Sequence, residues 1–241
     1  MRMSSPDLSS NPDNLLLFLE VVANNQRANA ASHSADFALI RRVNVCLSTV
    51  GQKLINPQPV MCAVLFQRCQ YAFKTAAALA LAGQVVEAFV MMRSCLEYAG
   101  YALAIFKDPA LEPVFTNRHV SQADMTAQKS AFRVSEIKNA IESFDSKLAE
   151  LFQTFYDRAI DFGGHPNPHA TFSTMQMPDP NPDNSFTMYA MVTDATNLRH
   201  AMKSVAQVGL TVLFIFQHIW KAKFELLGIR AEMSQLRREN L

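Results

Sequence analysis

Four side chains able to do chemistry fall within twelve positions of one another: Arg158, Asp161, His165 and His169, in the stretch FYDRAIDFGGHPNPH. A neutral imidazole can take a proton from a ribose 2′-OH or return one to a leaving oxygen. A guanidinium is no base, yet its planar fork stabilises charge gathering on phosphate oxygens. Arg158 and His165 are therefore read as a catalytic pair that needs no metal, with Asp161 and His169 in support. A plainer reading pairs Arg158 with Asp157 or Asp161 at a helix end and lets His165 bond a carbonyl at a turn. A metal reading groups Asp161, His165 and His169. Their spacing suits one helix face, but Pro166 and Pro168 oppose a helix there, and a fourth ligand is missing.

A second polar pair, Arg93 and Glu97, lies one turn apart on an apolar stretch and can form an ion pair along it. It is read as a structural pair supporting the site. No G-x-S-x-G elbow and no Gly-rich phosphate loop is present, so serine or cysteine hydrolase chemistry finds no support. A non-catalytic reading also stands, in which the chain binds a small ligand or a protein partner. Met175, Met177, Met188 and Met191 then line an adaptable pocket.

The elements that position these residues are helical. Phe37, Ile40, Val43, Leu47, Val50 and Leu54 form one stripe at spacings of three and four, ending near Asn56 before Pro57 and Pro59. A third helix starts at Pro59 and ends at Gly83, and a fourth runs from Gln84 to Phe106. Alanine-rich faces pack these two as an antiparallel hairpin. A short polar helical piece is expected over residues 115–127. Val134, Ile137, Ile141, Phe144, Leu148, Leu151 and Phe155 predict one long amphipathic helix delivering Arg158 at its end, where the helix dipole favours a cation. Gly163 and Gly164 should unwind the chain into a long Pro-rich loop. Asp194 caps a last long helix, nearly apolar all round between Leu210 and Phe216 and hence central.

The fold class expected is all-α: an antiparallel bundle of four or five long helices. Residues 1–13 read as a disordered tail and 14–35 as a short helix with a polar linker. The bundle domain spans 36–228, and a charged extension follows over 229–241. With 22 Lys and Arg against 21 Asp and Glu, the net charge of +1 gives no global steering toward nucleic acid. Cys46, Cys62, Cys69 and Cys95 form no C-x-x-C pair and read as small buried thiols in a reducing, cytoplasmic setting. The most apolar run, Val208 to Trp220, is broken by Gln217 and His218 and too short to cross a bilayer, so no membrane is expected.

Arg158 and His165, with six residues between them, fit an Arg-x(4–6)-His motif beside a long bundle helix. The chain in this respect resembles the HEPN-like helical proteins. The segment GQVVEAFVMMRSCLEYAGYAL, with Glu87, Ala88, Arg93 and Glu97, resembles a helix of uncharacterised bacterial proteins of that architecture. The resemblance covers roughly residues 59–220 in architecture and only the short motif in chemistry. It implies a metal-independent ribonuclease acting on RNA, a homodimer in which two motifs share a cleft, and an antitoxin-type protein partner. Neither cofactor nor metal is implied.

Overall fold

The apolar stripes find one another across the hairpin of α3 (Val60–Ala82) and α4 (Val85–Lys107), against which the other helices pack. The computed structural model describes residues 14–164, 168–172, 174–176, 187–192 and 194–239. Of the described residues 83% are helical; twelve α-helices lie among them, and the chain is an all-α helical bundle. Ala72, Ala76 and Ala80 on α3 and Ala88, Ala99 and Ala102 on α4 are buried, so the two backbones come close. The thiols of Cys69 and Cys62 then reach backbone carbonyls of α4, at 3.4 Å to Cys95 and 3.2 Å to Ala102. Burial pushes the Cys62 thiol up to about 12 and Cys46 up to about 11, so neither forms a thiolate near neutrality. Gly83 turns the hairpin at φ +87, and a Cβ there would lie 2.6 Å from the Val192 carbonyl oxygen.

The helix α1 (Leu15–Ser32) runs through the polar stretch expected as a linker. Its amides explain the composition. Asn25, Gln26 and Asn29 donate to the carbonyls of Ala82, Ala78 and Leu81, which lie in the last turns of α3. Those of Leu81 and Ala82 are among the last four, which have no partner within their own helix. Polar side chains are what the contact requires. After α1 comes α2 (Ser34–Lys53), which buries Ile40, Val43, Leu47 and Val50 as its stripe predicts.

Two short helices, α5 (Leu111–Thr116) and α6 (Gln122–Ala131), occupy the region expected to hold a single polar piece. The single long helix expected beyond Ser130 is two: α7 (Val134–Glu142) and α8 (Ser146–Ala159). The Ser143 hydroxyl bonds the Ala140 carbonyl at 2.7 Å, and the Asp145 carboxylate accepts from the Leu148 amide at 3.0 Å, starting α8 afresh. The apolar period carries through because both helices face α4. Phe144 and Leu151, at the break and one turn into α8, are exposed.

Beyond α8 the chain does not unwind at its glycines. It widens into a π turn (Ile160–Gly164), followed by α9 (Pro168–Phe172) and a pair of two-residue antiparallel strands, β1 (Met175–Gln176) and β2 (Thr187–Met188). The central helix is α10 (Ala195–Ile219), capped by Asp194, whose carboxylate accepts from the Asn197 amide at 2.9 Å. It packs on α2, α3, α4 and α8. Then α11 (Lys221–Leu226) leads to α12 (Ile229–Arg238), the segment expected as a solvated extension. Instead α12 buries Ile229, Met233 and Leu236, and Arg42 of α2 pairs with Glu232 and Glu239.

Both α4 and α10 are long and apolar enough to cross a membrane by length and composition. The short run considered in the sequence is thus part of a longer apolar helix. Inside the bundle, 56% and 72% of their most apolar windows are buried against other helices.

Candidate functional site

The bundle end formed by the start of α4, the π turn and the start of α10 gathers the chemically useful residues. The run from α8 into the π turn lies antiparallel to α4: Tyr156 meets Glu97, and Gly163 meets Val86. A Cβ on Gly163 would sit 2.2 Å from the Val86 carbonyl oxygen and 3.0 Å from the Phe89 Cβ. Only glycine permits that approach. One residue earlier, the Phe162 ring stacks on Phe89 at 5.2 Å. A π turn inserts an extra residue per turn and often marks a working site. Here it sets Phe162 and Gly163 on α4 while leaving Asp161 exposed.

Arg158 sits in the last turn of α8, where the partial negative charge of the helix end favours it. The expected pairing with Asp157 or Asp161 does not form. Asp157 instead accepts from Gln153 at 2.8 Å, and no ion pair joins Arg158 to Asp161 among the described residues. The guanidinium lies over the Phe155 ring, 5.4 Å from its centroid. A cation over a ring face keeps its hydrogen-bonding edges available to an anion.

His200, in the second turn of α10, faces this corner. Its ring lies 6.3 Å from Phe89 and 6.0 Å from Phe162. Partial burial against them, together with the charge of Arg158, holds the imidazole below its usual range, although the residue keeps an exposed side. Nothing in the sequence pattern singled out His200. It flanks the stripe made by Leu198 and Met202, and the Phe89 and Phe162 that frame it come from distant segments. His165 and the His169 side chain lie outside the described residues, as does Met177, so the pairing of Arg158 with His165 and the metal grouping with Asp161 do too.

One turn further along α4, Arg93 and Glu97 form the expected ion pair, Nε to Oε1 at 2.9 Å, with both side chains about a quarter to a third exposed. The Tyr156 hydroxyl donates to the same Glu97 oxygen at 3.0 Å, and the Arg93 guanidinium stands 5.3 Å over the Tyr156 ring. Burial and the Glu97 charge push the Tyr156 phenol up to about 12, so it remains a donor. Although burial works against it, the Glu97 and Tyr156 contacts leave Arg93 above its ordinary value, and it stays charged. This network clamps α4 to α8 directly below the π turn.

Beside the π turn an open cleft of about 610 Å³ is lined by Val86 and Glu87 at the start of α4, Gly163, Thr171 and Tyr189. Met188 lines it too, whereas Met191 lies against Asn25 of α1. The fold and site define a class, an all-α bundle with a cationic, aromatic-walled corner at one end. No family model, no curated protein and no solved structure matches the chain.

Proposed function

We propose that this chain is a HEPN-like helical protein that cleaves RNA without a metal at the Arg158 corner. The observation that carries the reading is an arginine with no carboxylate partner among the described residues, beside a histidine whose pKa is held below its usual range. A neutral imidazole removes the ribose 2′-OH proton, the 2′-oxygen attacks phosphorus, and the departing 5′-oxygen leaves with a proton from an acid. Arg158 stabilises the negative charge on the non-bridging oxygens. His200 supplies the base in this scheme. His165, a few residues beyond Arg158 in the sequence, supplies the acid.

The resemblance to HEPN-like proteins extends the proposal to a cytoplasmic homodimer whose two Arg158 corners share one RNA cleft, held in check by an antitoxin-type partner. The test is cleavage of a mixed RNA in excess EDTA by wild type, Arg158→Ala, His165→Ala and His200→Ala. Loss of a single histidine or arginine in a general acid–base site costs about a hundredfold or more in rate. Equal cleavage by all four proteins, or none by the wild type, contradicts the proposal. A second reading, a bundle that binds a small ligand without chemistry, draws on the apolar pocket between α1, α2 and α3.

A further inference from the structure

Away from the Arg158 corner, a pocket of about 320 Å³ opens between α1, α2 and α3. Its walls are apolar: Phe37 and Ile40 from α2, and Phe73, Ala77 and Leu81 from α3. The volume falls at the small end of the range for small-molecule sites, about 300–1,000 Å³. The charged residues lining it are Arg41 and Lys74, both cations, and no acidic residue lines it. Among the described residues neither cation has an ion-pair partner; Lys74 only leans over the Tyr71 ring at 6.0 Å.

Asn44 also lines it, one helical turn from Arg41, but its amide oxygen is closed off from solvent and so from any group entering the open pocket. Gln26 is fixed by its bond to the Ala78 carbonyl at 3.0 Å. Phe37 and Arg41, one turn apart on α2, set an apolar wall and a cation on one face.

We infer that this pocket binds an amphipathic organic anion: a carboxylate head between Arg41 and Lys74 and a medium-length apolar body against Phe37 and Phe73. Each part answers one observation. The unpaired cations select the anion, and the apolar walls select the body. The inference is independent of the ribonuclease reading, because no residue is shared with the Arg158 corner.

Calorimetric titration of the full chain with decanoate and decylamine tests it. Decanoate should bind, and decylamine should give no binding. Arg41 and Lys74 are exposed, so Arg41→Gln with Lys74→Gln leaves the core intact. Decanoate should then weaken by roughly tenfold or more. The inference is overturned if the wild type does not bind decanoate, if decylamine binds as well as it does, or if the glutamine variant binds unchanged.

Discussion

At His200, burial against Phe89 and Phe162 and the charge of Arg158 push the same way, toward the neutral ring. Burial does the same to His218, packed beside Phe144 at 5.4 Å, where Asp145 opposes and Lys221 reinforces it. In the unfolded chain both rings take up protons below about pH 6.5; in the folded chain they resist. The stability they contribute is therefore present above about pH 6.5 and lost as pH falls through their lower folded values. Urea denaturation at about pH 7.5 and about pH 5.5 should show wild type losing more stability on acidification than His200→Gln with His218→Gln. An equal loss in both proteins contradicts this. Of the residues at the corner, Arg158 was legible because a helix end and a nearby histidine mark it in one short stretch. His200 was not, since its significance comes from two phenylalanines far away in sequence. The Arg93–Glu97 pair was legible from its one-turn spacing, but no spacing ties Tyr156, which completes the network from another helix, to that pair.

Two of the elements that differ from their expected form do so for tertiary reasons. The polar run in α1 looks like a linker because polar composition usually means solvent. Its amides are instead spent on the carbonyls at the end of α3. The 3,4-periodic run over residues 134–155 looks like one helix because both of its halves pack on α4. The period cannot reveal that Asp145 restarts the helix between them. The π turn is the element on which the corner depends, and Gly163 is its tightest point. Gly163→Ala should cost about 1–3 kcal/mol, because the added carbon drives into the α4 backbone rather than a yielding side chain. The same variant should displace Phe162 from Phe89 and blunt any activity at Arg158. A melting temperature and activity both unchanged would show that the contact is not tight.

Across the whole molecule, α10 explains why the fold was easier to read than the site. Its all-round apolar segment, Leu210 to Phe216, has one solution in a helical protein, the centre of the bundle, and it packs there on four helices. The terminal α12 was harder to place, because charged residues outnumber its three core contacts. Arg42 from α2 takes up two of those charges and holds the helix down. A site is legible only when its residues are neighbours in sequence, and this corner draws on α4, α8, the π turn and α10. In the proposed function these four elements carry out attack by a ribose 2′-OH without a metal. The most direct measurement compares, in excess EDTA, an RNA strand with the same strand carrying 2′-O-methyl groups throughout, reading the ends of the products. The RNA should be cut to 2′,3′-cyclic phosphate ends by wild type but not by Arg158→Ala, and the methylated strand should stay intact. Cutting of the methylated strand, or no cutting of the RNA, would contradict the claim.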